Sequence, residues 1–145
     1  MPVSHNIEAD AVGLENLSIC LALRRAVFVD EQGVAPEIDV DGRDESCTQF
    51  LAWVNGVPIG TARLRRVDDD AKAERVAVLD DFRRHGVGRA LMNVVEASAR
   101  AQGLRSVLVH AQQAAVPFYE RIGYVASGAQ FLEAGIPHLA MRKGV

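Results

Sequence analysis

The most informative segment of this chain is Phe82-Arg83-Arg84-His85-Gly86-Val87-Gly88-Arg89-Ala90-Leu91, which joins a strand to a helix through a glycine turn. Before it, Arg75-Val76-Ala77-Val78-Leu79 is an aliphatic and β-branched run suited to a buried strand. After it, apolar residues recur at helical spacing as Val87, Leu91, Val94 and Val95. The segment therefore predicts a strand, a turn and an amphipathic helix.

The turn has the chemistry of a phosphate-binding site. Gly86 and Gly88 have no Cβ, so the backbone there can take positive φ values and approach an anion closely. The first amides of a helix have no intrahelical acceptor and lie at the positive end of its dipole. Arg83, Arg84 and Arg89 add forked donors that match a diphosphate. The alternative interpretation is an exposed, arginine-rich helix start with ordinary turn glycines.

Mismatches around the turn disfavour two nucleotide-binding motifs. A dinucleotide fingerprint needs glycine where Leu91 stands and an acidic residue about 20 positions later, near Leu108. A P-loop needs Gly-Lys followed by Ser or Thr, whereas Gly88 is followed by Arg89 and Ala90. Nucleotide hydrolysis is therefore not expected.

Length and composition narrow the class of protein. The chain has 145 residues, enough for one domain with a single core, which we expect to span residues 1–145. Its formal net charge of −3 gives no basic field for nucleic acid, and no apolar run approaches the ~20 residues of a membrane span. Because the start from Met1 to Asp10 is polar, we expect a cytoplasmic protein without nucleic-acid or membrane partners. Cys20 and Cys47 lack metal-ligand spacing and are expected to be free thiols, with no metal site.

Periodicity and turn signals place the remaining elements. Strands are predicted at Ile7 to Val12, Thr48 to Val54, Val57 to Val67, Ser106 to Val109, Tyr124 to Ala126 and His138 to Arg142. Helices are predicted at Leu14 to Val29, from Val87 to near Gly103, and at Ala114 to Arg121. Turns and loops are predicted at Asn55-Gly56, a tight hairpin, at Asp68-Asp69-Asp70, and over the acidic segment Glu31 to Glu45. A helix between two strands implies a parallel pair, whereas the hairpin implies antiparallel neighbours, so the sheet should be mixed.

Two separated motifs carry a family resemblance. They are Arg83-x-x-Gly86-x-Gly88 after a strand and, later, Phe118-Tyr119-Glu120-Arg121-Ile122-Gly123-Tyr124. The first resembles the coenzyme-A motif R/Q-x-x-G-x-G/A of GNAT-superfamily N-acetyltransferases, and the second resembles their F/L-Y-E-x-x-G-F/Y signature. Further segments resemble a small bacterial subgroup: Arg25-x-x-Phe28-Val29-x-Glu31-Gln32-Gly33-Val34, Gly60-Thr61-Ala62-Arg63-Leu64 and Gly135-Ile136-Pro137-His138.

The resemblance implies an α/β (α+β) fold with flanking helices and a mixed, mainly antiparallel sheet. Its two central parallel strands would splay apart near Val76-Ala77-Val78 and Val107-Leu108-Val109 to admit the pantetheine arm of acetyl-CoA. The coenzyme phosphates would bind the amides from Arg84 to Arg89. The predicted coenzyme-binding residues are Val76, Val78, Arg83, Arg84, His85, Gly86, Val87, Gly88, Arg89, Gln112 and Phe118. Gln112 stands where many family members carry asparagine.

Two residues are candidates for catalysis. Glu74 matches a position at which family members often carry a catalytic glutamate and would act as a general base through water; the alternative is a charged strand-end residue exposed to solvent. Tyr119 matches the family's usual proton donor to the coenzyme sulfur, and a phenol stays protonated at neutral pH. The alternative for Tyr119 is a core aromatic with a hydrogen-bonded hydroxyl. A backbone N–H near Val78 is the predicted stabiliser of the oxyanion.

The predicted acceptor-binding residues are Phe28, Glu31, Arg63, His110 and His138. The acidic segment from Glu31 to Glu45 would favour a cationic amine if it lines the cleft, and is otherwise a solvated face. Arg63 and Arg65 share a strand face and either pair with that segment or bind an acceptor carboxylate. The two histidines either contact the acceptor or are structural imidazoles.

We therefore expect an acetyl-CoA-dependent N-acetyltransferase that moves an acetyl group directly to a primary amine of a small molecule or peptide in a ternary complex. One alternative is a non-catalytic acyl-CoA-binding sensor or partner subunit. Another is an enzyme similar to acyl-homoserine-lactone synthases, which Arg25, Phe28 and Glu37-x-Asp39-x-Asp41 distantly resemble, although those enzymes generally lack the coenzyme turn. The sequence leaves the acceptor and the oligomeric state open, a homodimer included.

Overall fold

A computed structural model describes residues 6–145 of the chain. Within this range the strands are β1 (Ile7–Val12), β2 (Thr48–Val54), β3 (Val57–Val67), β4 (Asp70–Val78), β5 (Ser106–Gln112), β6 (Val125–Glu133) and β7 (Ile136–Gly144). The α-helices are α1 (Leu17–Arg24), α2 (Pro36–Asp39), α3 (Val87–Ala101) and α4 (Val116–Arg121). Short 3₁₀ turns lie at Leu14–Asn16, Asp44–Ser46, Asp80–Phe82 and Gln113–Ala115, and a π-helix, Arg25–Glu31, continues α1.

The β2–β3 hairpin has the bounds predicted from the sequence. Asn55 and Gly56 form its turn with φ values of 50° and 80°. Positive φ at both central positions is what a type I′ turn requires, and Asn-Gly is the pair that adopts it most readily. This hairpin therefore follows from local turn chemistry alone.

Several other elements differ from prediction in their extent. The predicted helix from Leu14 to Val29 is divided into a 3₁₀ turn, α1 and the π-helix, which ends before Gly33. β4 begins at Asp70, so the exposed turn is limited to Asp68 and Asp69. Residues 6–145 contain no helix that is both long and apolar enough to cross a membrane.

The sheet is mixed, as predicted, with strand order β1-β2-β3-β4-β5-β7-β6. β4 and β5 form the parallel pair, but they pair only from Ala71↔Val107 to Ala73↔Val109. Just beyond, β4 bulges at Arg75, a non-glycine residue with φ of 54°, where the register with β3 shifts. A bulge bends its strand. The two strands therefore splay apart, and a cleft opens at the centre of the sheet.

Helices cover both faces of the sheet. Alternate residues of β2 point to opposite sides, so Phe50 packs in the large core with α3, whereas Leu51 packs with Cys20 of α1. α3 buries Leu91 and Val95 completely in that core. Each such side chain stabilises the packing by about 1.5–3 kcal/mol, which holds the first turn of α3 at the cleft.

Candidate active site

The predicted phosphate turn lies at one mouth of the cleft. A 3₁₀ turn after β4 leads to Gly86, whose φ of 89° suits glycine, and α3 begins at Val87. Ala90 donates its amide to the Gly86 carbonyl at 3.0 Å. Among residues 6–145 the amides of Val87, Gly88 and Arg89 have no acceptor, so these N–H groups are open to an anion.

The two glycines of the turn serve different purposes. Gly86 provides the positive φ that starts the helix, whereas the φ of Gly88 is not in the positive range. A Cβ on Gly88 would come within 3.2 Å of the Phe118 ring, so glycine there allows Phe118 to pack against the first turn of α3. Phe118 also lines the cleft, at a position suited to its predicted contact with coenzyme.

Arg83 differs in role from the other arginines of the turn. Its Nη1 and Nη2 atoms donate to the two carboxylate oxygens of Glu31 at 2.5 and 2.6 Å, and its Nε atom donates to the Val78 carbonyl at 2.9 Å. These hydrogen bonds from Arg83 lower the pKa of the Glu31 carboxyl. The predicted contact of Glu31 with acceptor is therefore corrected: the pair ties the end of the π-helix to the end of β4. Arg83 itself lines the cleft, so its contact with coenzyme stays a prediction. Arg84 and Arg89 line the cleft with no such partner among the described residues.

Most of the predicted coenzyme-binding residues lie along one cleft of about 900 Å³. Those that line it are Val76, Val78, Arg83, Arg84, Gly86, Gly88, Arg89, Gln112 and Phe118. Val87 is an exception, because its side chain is buried in the core and only its main chain faces the turn. His85 is not among the lining residues. Arg121 of α4 also lines the cleft; it belongs to the second motif, but no site role was predicted for it.

The backbone of β4 beside the cleft is partly unpaired. In the register of the described strands, Val76 has no partner in β3, where the bulge lies, and none in β5, where pairing ends at Ala73. Val78 pairs with Gly60, and its carbonyl also accepts the bond from Arg83. Main-chain contact with an extended ligand is therefore available at Val76 first.

Tyr119 lies in the wall of the cleft, as predicted. Its side chain is largely buried between Phe118 and Tyr124, whose ring centroids lie 5.0 and 5.5 Å away at steep angles. Its hydroxyl makes no hydrogen bond to another group among residues 6–145 and does not match the alternative of a hydrogen-bonded core phenol. Burial raises the pKa of Tyr119, so the group is protonated and available to donate a hydrogen bond to a ligand.

Glu74 does not have the environment of a general base. Its carboxylate is 8% exposed and lies 3.1 Å from Arg63, 3.0 Å from Arg65 and 3.3 Å from Lys72. Burial alone would raise the pKa of Glu74, but the hydrogen bond from Arg65 and the neighbouring positive charges lower it to about 2. A carboxylate held this strongly in its ionised form has little tendency to accept a proton. Glu74 also lies within β4, so it is neither at a strand end nor exposed as the alternative proposed.

Arg63 is buried and does not bind an acceptor. Its guanidinium is 0% exposed and donates to Asp41 at 2.6 Å and to Asp44 at 3.1 Å, while Arg24 holds Asp44 at 2.6 Å and Asp39 at 3.2 Å. The hydrogen bonds from Arg63 lower the pKa of the Asp41 carboxyl. The alternative in which Arg63 pairs with the acidic segment is confirmed. Asp39 is the acidic residue of this segment that lines the cleft, and Arg24 and Arg75 already pair with it, so the segment does not offer a free carboxylate there to a cationic acceptor.

The acceptor end of the cleft lies between the π-helix and the β6–β7 hairpin. Phe28 lines it from one side, and His110 and His138 line it from the other. Gln32 and Gln112 bridge the two sides with reciprocal amide hydrogen bonds of 2.9 and 3.2 Å. One hydrogen of the Gln112 amide nitrogen is therefore used by Gln32, and the second remains available to donate to coenzyme. Within residues 6–145 no cluster of His, Cys, Asp or Glu is arranged to hold a metal ion.

Comparisons with known proteins agree with this geometry. A family model described as "Acetyltransferase (GNAT) domain" matches residues 22–145. The Bacillus subtilis protein named "Uncharacterized N-acetyltransferase YjcF" is 38% identical over 130 residues, which cover 89% of this chain and 93% of that protein. The crystal structure of an acyl-CoA N-acyltransferase from Pseudomonas aeruginosa has a TM-score of 0.79 at 28% identity, covering 97% of this chain and 99% of that one. A PaiA N-acetyltransferase from Thermoplasma acidophilum, solved in complex with coenzyme A, has a TM-score of 0.75 at 13% identity, covering 97% and 99%, and shows a likeness of fold alone.

Proposed function

Because the chain belongs to the GNAT acetyltransferase family, we propose that it transfers an acetyl group from acetyl-CoA to a primary amine of a small molecule or peptide. The observation that carries this proposal is the continuous cleft. It runs from the open amides at the start of α3, through the gap between β4 and β5, to the unpaired hydroxyl of Tyr119. A ligand that bears a diphosphate at one end and a thioester at the other matches the two ends of this cleft.

The diphosphate binds at the start of α3. The amides of Val87, Gly88 and Arg89 donate to its oxygens, and the positive end of the helix dipole favours its charge. Arg84 and Arg89 line the same mouth and add guanidinium donors. The pantetheine arm lies along β4, where Val76 offers main-chain groups that β5 does not use.

The chemical step joins the amine nitrogen to the acetyl carbon. The nitrogen attacks the thioester carbonyl in the ternary complex, the C–S bond breaks, and its electron pair leaves on sulfur. Tyr119 donates its hydroxyl hydrogen to that sulfur as negative charge develops. The high pKa of the buried phenol favours a strong hydrogen bond to the thiolate over early loss of the proton.

Two measurements on the purified chain test the proposal. Calorimetry with acetyl-CoA and with CoA should detect binding of one ligand per chain. Thiol release from acetyl-CoA, followed across a panel of alkylamines, amino acids and lysine peptides, should depend on the amine, and mass spectrometry should detect the N-acetylated product. Binding without amine-dependent release would favour the non-catalytic sensor, and absence of binding would contradict both.

A further inference from the structure

A histidine and a carboxylate face each other at the point where the central strands separate. His110 is the first β5 residue beyond the last β4–β5 pair, Ala73↔Val109. Its Nδ1 atom lies 3.0 Å from Oε1 of Glu133, on the neighbouring edge of the cleft. Both residues line the cleft. His110 was predicted either to contact the acceptor or to be a hydrogen-bonded structural imidazole, and no role was predicted for Glu133.

The contact determines which nitrogen of His110 is available. A deprotonated carboxylate only accepts hydrogen bonds, so Nδ1 carries the hydrogen and Nε2 of the neutral ring carries the lone pair. Among residues 6–145, Nε2 has no hydrogen-bond partner. Phe131 packs edge-on against the ring, with centroids 5.0 Å apart at 76°, and limits its rotation. A base oriented through its other nitrogen by a carboxylate is the arrangement that activates nucleophiles in many transferases and hydrolases.

From this geometry we infer that His110 is the general base that takes a proton from the acceptor amine, and that Glu133 is the positioning residue that orients it. The inference rests on the proposed acetyl transfer and names the residue that deprotonates the amine in it. Acyl transfer needs an unprotonated amine, and Glu74 is held by three cations in its ionised form. His110 stands on the same open stretch of cleft without such partners.

The step converts an alkylammonium ion and acetyl-CoA into an amide, CoA thiol and one proton. Nε2 of His110 removes one proton from the alkylammonium group and later releases it to solvent. The neutral nitrogen then attacks the acetyl carbon, and the C–S electron pair leaves on sulfur. The nitrogen loses its second proton as the amide forms. That proton replaces the one that Tyr119 gives to sulfur, so the products are the amide, CoA thiol and one proton.

The other histidine of the cleft lacks this arrangement. Nδ1 of His138 lies 2.6 Å from the Ile136 carbonyl and donates to it, its ring stacks on Phe131, and the residue is 6% exposed. Its Nε2 atom lies 3.7 Å from Glu133, so His138 is also a charged neighbour of the pair when protonated. The other charged side chains that line the cleft beside β5 are Lys72, Glu74 and Arg75 of β4. A pH profile of the reaction therefore has to be compared between variants that leave these groups in place.

The test compares His110→Ala, His110→Gln and Glu133→Gln with the parent chain, using one alkylamine and one weakly basic arylamine as acceptors. Both His110 variants should lower kcat/KM for the alkylamine by about 10²–10⁴-fold. The defect should be much smaller for the arylamine, which is already unprotonated, and added imidazole should restore part of the alkylamine rate in His110→Ala. Glu133→Gln should give a smaller loss and shift the low-pH limb of the profile. Glu8→Gln, an exposed glutamate on the opposite edge strand, is the matched control and should match the parent.

The outcomes separate this inference from the proposed function. If the parent chain releases no thiol with any amine, the proposed function fails. If the parent is active and both His110 variants keep its kcat/KM and pH profile, the assignment of the base is wrong while the function stands. An equal loss for both amines, without rescue by imidazole, would also overturn the assignment, because it would indicate a structural role. Melting temperature and acetyl-CoA affinity, measured for each variant, show that the fold and the coenzyme site are intact.

Discussion

Removal of the Tyr119 hydroxyl should lower activity, whereas removal of the Tyr124 hydroxyl should lower stability. The two rings are neighbours, with centroids 5.5 Å apart, and both are largely buried. The Tyr124 hydroxyl donates to the buried carboxylate of Glu96 at 2.8 Å, whereas the Tyr119 hydroxyl has no partner among residues 6–145. One hydroxyl is therefore committed to the fold and the other is available to the thioester.

The magnitudes follow from these partners. A hydrogen bond to a charged group contributes about 1.5–3 kcal/mol, so Tyr124→Phe should destabilise the fold by that amount and lower the Tm by roughly 4–10 °C. Tyr119→Phe removes no hydrogen bond of the fold and should leave the Tm within about 1–2 °C. If its hydroxyl stabilises the departing thiolate by the same 1.5–3 kcal/mol, kcat should fall about 10–150-fold.

The assay pairs thermal melting with steady-state thiol release for each variant. We expect Tyr119→Phe to lose kcat while its affinity for acetyl-CoA and its Tm are retained, and Tyr124→Phe to lose Tm while its kcat is retained. An unchanged kcat in Tyr119→Phe would refute the role of this hydroxyl. A drop in the Tm of Tyr119→Phe as large as that of Tyr124→Phe would refute the claim that the Tyr119 hydroxyl is unpaired in the fold.

Three further predictions concern the ion-pair cluster and the turn. Glu74→Gln should destabilise the fold by about 3–5 kcal/mol in denaturant titrations, because it removes the buried negative charge that Arg63, Arg65 and Lys72 share. It should not move the pH profile of turnover; a moved profile with unchanged stability would restore Glu74 as the base. The pKa of Glu74 falls from 4.5 to about 2 on folding, so its carboxylate contributes about 3 kcal/mol to stability above pH 4.5, and this contribution is lost as the pH falls through 2. Between pH 4.5 and 2 the free energy of unfolding should therefore decrease less in the Glu74→Gln variant than in the parent chain. Gly86 and Gly103 both have positive φ and open space around them, so Gly86→Ala and Gly103→Ala should each destabilise the fold by about 1 kcal/mol. Only Gly86→Ala should weaken the binding of CoA measured by calorimetry. Equal affinities of the two variants for CoA would argue against the turn as the binding site.

Local patterns were sufficient wherever neighbours in sequence determine the conformation. The Asn55-Gly56 hairpin, the glycine turn before α3 and the helix itself are examples, because their φ values and apolar spacing are local properties. The predicted strand began at Arg75, too late for β4, because the first half of β4 carries the charged residues Asp70, Lys72 and Glu74, which are typical of an exposed segment. In the fold Glu74 is buried against Arg63, a partner from another strand. β6 was also underpredicted, because this exposed edge strand has little apolar alternation to mark it.

The candidate site shows the same division. The coenzyme turn and Tyr119 lie within short motifs, so the sequence alone placed them in the cleft. The roles assigned to Arg63 and Glu31 failed because each pairs with a residue distant in sequence, Asp41 and Arg83 respectively. The contact between His110 and Glu133 depends on how β5, β7 and β6 are ordered in the sheet, which no local spacing encodes. Long-range ion pairs were thus the main information that the sequence patterns lacked.

The central claim is that the free amides at the start of α3 hold the diphosphate of CoA and direct its sulfur into the gap beside Tyr119. Amide-resolved NMR of the isotopically labelled chain, titrated with CoA, tests it most directly. We predict saturable shifts at a ratio of one to one, largest for the amides of Val87, Gly88 and Arg89 and extending along β4 to Val76. Binding that leaves these amides unmoved, or no binding at all, would contradict the account.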